Sequence, residues 1–311
     1  MANVAAAIPV ATAVPIGGTA TAPRMSSRTS SRSAAPAPPP VTMNPSLTTA
    51  VREFLTANLW PEGLQEYYLR RLTTVAATYF IVDDSGSMSI SDATRFVKQG
   101  TKMVPVGCTR YAELQECITF HAGLANSARF PASFRLLNNA PPITVGGPGD
   151  DGSAFGRLMQ ALELPPSGGT PLGAHVRDFI DEVSRQAATL RSEGKRAKLI
   201  IATDGEASDG DLSAEMAVLK SLPVVIVVRI CTNDSEVVDY WNAIDKDLEL
   251  SLDIVDDLVS EAESVANLNP WLFYTEPIQR FREAGSDVRE VELLDEVKFT
   301  GDQIRNFCIL L

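Results

Sequence analysis

Histidine and cysteine are scarce in this chain, and long apolar runs are missing. Only His121 and His175 occur among 311 residues. No motif ties either of them to a serine, and no Cys or His stands close enough in sequence to suggest a zinc site, although distant residues can meet in a fold. His121, beside an apolar helical stripe, reads as a satisfied side chain rather than a ligand. The four cysteines, Cys108, Cys117, Cys231 and Cys308, form no C-x-x-C pair. Cys117 and Cys231 lie in apolar contexts, as reduced thiols of a cytoplasmic protein would; the alternative is an extracellular Cys108–Cys117 disulfide. No apolar run approaches the roughly 18–20 residues of a spanning helix, and the longest, Leu222 to Ile230, reads as a buried strand. The glycines at 146, 147 and 149 lack the Lys-Ser/Thr ending of a phosphate loop, and no D-x-D-x-T/V nucleophile motif occurs.

A basic stripe is also lacking. The first 50 residues carry three arginines, Arg24, Arg28 and Arg32, and no acidic group, which leaves 24 basic against 39 acidic side chains, or −15, for the rest. That body repels polyphosphate, so neither nucleic acid nor an anionic membrane has an electrostatic footprint to bind. The acidic surface itself reads as a solvated face.

Composition divides the chain into four parts. Residues 1–43, rich in Ala, Pro, Ser and Thr, cannot bury enough apolar surface to offset chain entropy and read as a disordered tail. Organelle targeting is the alternative for this acid-free segment, although its prolines interrupt the amphipathic helix that a transit peptide needs. Residues 44–73 read as a helical lead-in. Ser46 caps a first helix running through Leu59, and Leu55, Leu59, Leu64, Tyr68 and Leu72 form its and its successor's apolar face. Residues 74–267 alternate strand-like runs with helical periodicity, which predicts an α/β domain with a doubly wound, mostly parallel sheet flanked by helices. Within it, Ser91 to Val97 reads as the start of a helix. Residues 268–311 form a C-terminal extension whose apolar positions, Trp271 to Tyr274, Ile278, Phe281, Leu293, Leu294, Val297 and Phe299, are expected to dock on the body.

The most informative stretch runs from Ala76 to Met88. An apolar strand containing Tyr79, Phe80, Ile81 and Val82 ends on Asp83-Asp-Ser-Gly-Ser87. Asp83, Ser85 and Ser87 alternate, and a turn permitted by Gly86 lets their oxygens converge. Two further loops supply oxygens: Pro166-Ser-Gly-Gly-Thr170, ahead of a helix beginning near Pro171, and a buried strand from Lys198 that ends on Asp204. Taken singly, these are a turn-capping carboxylate, ordinary loop serines and a helix cap. Together they make a D-x-S-x-S loop, then a threonine, then an aspartate. In this the sequence resembles a von Willebrand factor A domain, a match that covers residues 74–267.

The resemblance implies a metal-ion-dependent adhesion site of Asp83, Ser85, Ser87, Thr170 and Asp204. Ser85 and Ser87 would bind the ion directly, the other three directly or through water. All-oxygen donors suit Mg2+ or Mn2+. Asp84 matches no ligand position and reads, with Glu206, as a solvated neighbour. The family typically uses the ion's open position to take an Asp or Glu from a protein partner, so the expected function is metal-dependent protein binding. A Mg-dependent hydrolase working at the same site, or a scaffold with an unused site, is the alternative; no catalytic motif was found. Finally, Cys308-Ile-Leu-Leu311 fits the C-a-a-X pattern, whose terminal leucine favours geranylgeranyl addition. No polybasic run precedes it, and a buried apolar terminus accounts for the same residues.

Overall fold

Apolar runs ended by turn residues become the central strands of the computed structural model, which describes residues 45–99, 102–139, 141–232, 234–248, 252–286 and 288–310. The 1–43 tail lies outside the described residues. Helices α1 (Pro45–Ala57) and α2 (Glu62–Leu72) lead into strand β1 (Val75–Val82). Strands β2 (Ala93–Gln99) and β3 (Lys102–Cys108) pair with each other, and helix α3 (Arg110–Ala128) brings the chain to β4 (Ala132–Leu136) and β5 (Ile143–Val145). Helices α4 (Ser153–Leu162) and α5 (Leu172–Ser192) precede β6 (Arg196–Thr203), α6 (Ser213–Leu219) and β7 (Val224–Ile230). Helix α7 (Ser235–Leu248), β8 (Leu252–Val255) and α8 (Leu258–Leu268) complete the alternation. Three short helices follow: α9 (Glu276–Glu283), α10 (Arg289–Glu292) and α11 (Gly301–Leu310).

The main sheet has the order β5-β4-β1-β6-β7-β8. Every pairing in it is parallel except that of edge strand β5 with β4. Parallel strands need crossovers that cover both faces, so the central strands are largely buried on both sides, with Arg135, Lys198 and Arg229 as buried charged exceptions to their apolar character. In β1, Phe80 and Val82 join Leu114, Ile118 and Leu158 on one face. Tyr79 and Ile81 join Val176, Phe179 and Trp241 on the other.

After β1 the chain crosses to β4 on one side; after β6 it crosses to β7 on the other. Strand order therefore reverses at the β1/β6 junction, where doubly wound sheets hold ligands at their carboxyl ends. Register brings the two ends level. Val82 stands opposite Ala202, and the Asp83 amide donates to the Ala202 carbonyl at 2.9 Å. Asp83 and Asp204 thus leave the sheet side by side.

A third apolar cluster lies outside the sheet. Val51, Leu55, Trp60, Leu64 and Leu69 pack with Phe120 and Leu124 of α3 and with Ile278, Phe281, Leu294, Phe299 and Phe307. Both flanking segments thus share one layer over the outer side of α3.

Several local expectations need correction. Ser91–Val97 is not helical: most of it forms β2, where Thr94, Phe96 and Val97 stand opposite Gly107, Pro105 and Val104. Those β-formers are satisfied by a strand that local periodicity does not reveal. Helix α1 stops short of Leu59, which adopts φ 61° and is 82% exposed. The Leu59 amide donates to Thr56 O and the Trp60 amide to Leu55 O, a Schellman closure that turns Trp60 inward in place of Leu59. In the extension, Leu272 and Tyr274 are buried, but Phe273 is 86% exposed and Trp271 and Val297 are partly so. All four cysteines are free thiols.

Candidate metal centre

The end of β1 builds the site from the inside out. Asp83 has no exposed surface. Its Oδ1 accepts from the Ser85 amide at 2.8 Å and its Oδ2 from Thr203 Oγ1 at 2.6 Å. No basic side chain pairs with it among the described residues. Burial pushes its carboxyl above the usual range; hydrogen bonds from Ser85 and Thr203 pull it back, and the nearby Asp204 charge adds to the rise.

Above Asp83, Ser85 Oγ lies 3.0 Å from Ser87 Oγ, and Ser87 Oγ donates to Asp204 Oδ1 at 2.8 Å. Adjacent oxygens of an octahedral Mg2+ shell with bonds of 2.0–2.1 Å are separated by about 3 Å. The hydrogen-bonded row of Ser85, Ser87 and Asp204 therefore already has the spacing of neighbouring ligands. These three oxygens suit a hard divalent cation in both chemistry and spacing.

The Thr170 loop is tied to this row through its backbone. The Gly86 amide donates to Gly168 O at 3.1 Å, and the Ser167 amide to Asp84 O at 2.7 Å. Gly168 has φ +88°, and a Cβ there would meet Asn138 Oδ1 at 2.4 Å. Gly86 does not need a left-handed backbone; it begins a 3-10 turn over Gly86–Ser89, and an added Cβ would approach nothing nearer than 3.7 Å. The conformationally demanding glycine is thus Gly168, not Gly86. On its other side the loop meets the segment after Asp204. Ser208 N donates to Thr170 O, Thr170 N donates to Ser208 Oγ, and Asp209 caps the start of α5 by accepting from Gly173 N and Ala174 N. Three loops are laced into one frame, to which Thr170, half buried, is tied through its backbone.

Asp84 belongs to that frame and is not a solvated neighbour. It is fully buried and accepts from Asn138 N, Asn138 Nδ2 and Asn139 Nδ2. Asn138 Nδ2 also donates to Gly169 O at 2.8 Å, which carries the restraint across to the Thr170 loop. Glu206 is exposed.

Sequence reasoning missed Arg110. This first residue of α3 forks onto Asp92, Nε to Oδ1 at 2.8 Å and Nη2 to Oδ2 at 2.6 Å, while Nη1 donates to Asp204 Oδ2 at 2.9 Å. The fork holds the Asp92 carboxyl below the usual range. Nothing in local sequence signals this contact, because Asp92 and Asp204 come from two segments that meet the start of α3 only in the fold.

A second group of metal-ligand types lies deeper. Cys117 precedes His121 by one helical turn, and Glu283 of α9 joins them, with potential ligand atoms all within 4.8 Å. This corrects the sequence reading that no cysteine stands close enough to a histidine to share a site. Glu283 is already occupied: Arg280 Nη1 reaches its two oxygens at 2.9 and 3.1 Å, Arg229 Nε lies at 3.4 Å, and His121 Nε2 at 3.2 Å. Arg229 pairs in turn with Glu113. Burial would raise Glu283, but Arg280, the His121 hydrogen bond and Arg229 override it and hold the group well below the carboxylate range. Burial pushes the Cys117 thiol up and His121 down, so neither is charged near neutrality. Two guanidiniums on the one carboxylate repel a dication, and Glu283 with Arg280, Arg229 and Glu113 forms a buried ion-pair hub that ties α9 to β7 and α3, with His121 hydrogen-bonded to it.

Cys308 is exposed on α11, next to buried Phe307. Among the described residues, no helix is long and apolar enough to cross a membrane.

No protein-family model matches the chain, and no curated protein matches it. Among solved structures it is similar to the crystal structure of the SpRpn10 VWA domain, with 15% sequence identity and a TM-score of 0.38 over 59% of this chain and 88% of that one. A likeness this distant carries no inference about individual residues.

Proposed function

We propose that this protein is a metal-dependent protein-binding module. Asp83, Ser85, Ser87, Thr170 and Asp204 would hold Mg2+ or Mn2+, and a carboxylate from a protein partner would complete the ion's shell. The observation that carries the reading is Asp83: a fully buried carboxylate, with a second carboxylate beside it and no basic partner of its own among the described residues. Burying such a group without a counter-charge is costly, and a divalent ion at the Ser85–Ser87–Asp204 row would supply one. If the direct shell is mostly hydroxyls and water, with the Asp83 and Asp204 carboxylates reaching the ion through water, the ion keeps net positive charge, which favours an incoming Asp or Glu. The acidic body steers such a partner poorly from a distance, so affinity has to come from local contacts.

A hydrolase working through Ser85 has less support, because both histidines are engaged elsewhere, His121 with Glu283 and His175 with the Leu137 carbonyl.

Titrating Mg2+ and Mn2+ calorimetrically into the wild type and Asp83→Ala tests the reading. A saturable one-site heat that disappears in the variant supports it, and binding of a carboxylate-bearing partner should then require the metal and fail with chelator. Absence of heat in the wild type, or equal heat in both proteins, refutes it. Turnover of phosphate or acyl esters that vanishes in Asp83→Ala would favour the hydrolase.

A further inference from the structure

Asp204 divides its two oxygens between two cations of different kinds, one implied and one built in. Oδ1 faces Ser87 and the row where a divalent ion would sit, while Oδ2 is bonded by Arg110. The Arg110 side chain is 11% exposed and Asp204's is wholly buried, so water screens the pair little. The guanidinium is also held in place. Its other nitrogens fork onto half-exposed Asp92, and the Arg110 amide donates to Ile90 O at 3.0 Å. Asp92 and Ile90 lie just beyond the Ser85–Ser87 loop, so one residue grips both the exit of that loop and the β6 carboxylate.

Resting on the metal-binding reading above, we propose that Arg110 is a tethered cation that competes with the divalent ion for Asp204, and that Asp92 sets the balance by holding part of the guanidinium. The physical reason is shared charge. Negative charge on Asp204 that is committed to Arg110 is not available to the ion, and a fixed positive charge beside the site opposes a second one. Asp92 acts in the opposite direction, because the guanidinium it holds cannot collapse fully onto Asp204. The site is thereby tuned to load and unload with the ambient Mg2+ level instead of holding its ion permanently, and partner binding follows that occupancy. Arg110 and Asp92 are positioning residues for the metal and do not themselves bind it.

The two variants should move affinity in opposite directions, which a merely structural role would not do. Calorimetric titration with Mg2+ is expected to show Arg110→Gln binding roughly tenfold more tightly than wild type, and Asp92→Asn several-fold more weakly. Arg110→Lys, which keeps the charge without the fork, should bind more weakly than Arg110→Gln. The double variant separates this mechanism from general field effects: with Arg110 gone, Asp92→Asn should change affinity by less than about twofold, whereas independent charges would add. Weaker or unchanged binding by folded Arg110→Gln, or full additivity in the double variant, overturns the proposal. Should Arg110→Gln fail to fold, Arg110→Met takes its place in both the single and the double variant, with the same outcomes for and against. Wild type that gives no saturable heat, or Asp83→Ala that binds as wild type does, brings down the metal-binding reading itself, an outcome distinct from reversed effects at Arg110.

Discussion

Replacing Gly168 by alanine tests the frame around the candidate metal centre at its tightest point. The added methyl would stand 2.4 Å from Asn138 Oδ1 and 2.7 Å from Asn138 Cγ, on a backbone with φ +88°. A left-handed backbone costs a residue bearing Cβ about 1–2 kcal/mol. Moving the Asn138 amide aside also sacrifices its bonds to Gly169 O and to the Asp84 carboxylate. These contribute about 1 kcal/mol for the neutral acceptor and about 1.5–3 kcal/mol for the charged one. Gly168→Ala should therefore lose about 3.5–6 kcal/mol in urea unfolding, while Gly86→Ala, with neither a left-handed φ nor a close contact, should stay within about 1 kcal/mol of wild type. In an Asn138→Ala background the clash is gone, and Gly168→Ala should cost only the backbone share, about 1–2 kcal/mol. A loss under about 1 kcal/mol for Gly168→Ala, or a greater loss at Gly86, would refute the assignment of strain to Gly168.

Two further outcomes are expected. Leu59→Gly should stabilise the protein by about 0.5–1 kcal/mol in thermal unfolding, because the C-terminal turn of α1 already holds position 59 at positive φ with its side chain in solvent. The second concerns Arg282, one guanidinium that serves Asp253, Glu261 and Asp295. Burial pushes the Asp253 carboxyl up to about 6 against the pull of Arg282. The folded state then binds more protons than the unfolded chain between roughly pH 4 and 6, so Asp253 contributes stability at low pH that is lost as pH rises through that window. Asp253→Asn should remove the dependence, gaining on wild type by about 2 kcal/mol more at pH 7 than at pH 4. Parallel pH profiles for the two proteins would contradict this account.

The parts of the fold that local sequence could reveal are those with local causes. Strands β1, β6 and β7 are largely apolar on both faces and end abruptly on Asp, Thr-Asp or Cys-Thr, so composition alone delimits them. Helices α4 and α7 likewise follow from periodicity between turn residues. The hairpin of β2 and β3 was hidden because each strand is stabilised by the other. At the site, Asp83, Ser85, Ser87 and Asp204 were recognisable by spacing, and the structure brings them into one hydrogen-bonded group. The residues that position them were not. Asp84 follows directly on Asp83, yet it is buried because Asn138 and Asn139, just past the end of β4, close over it. Arg110 and Asp209 act across loops that meet only in the folded chain.

The apolar layer over α3 sets an order on how this protein can be made. Trp60 stacks on Phe120 and meets Phe281 edge-on at 6.0 Å, and Tyr67 meets the same Phe281 ring at 5.8 Å. A ribosome releases Trp60 and Tyr67 long before Phe281, so the first two helices emerge with greasy surfaces whose cover does not yet exist. Until α9 to α11 arrive, that layer lacks Ile278, Phe281, Leu294, Phe299 and Phe307, and a stop codon after α8 would leave it uncovered even with the loops after β1 and β6 complete.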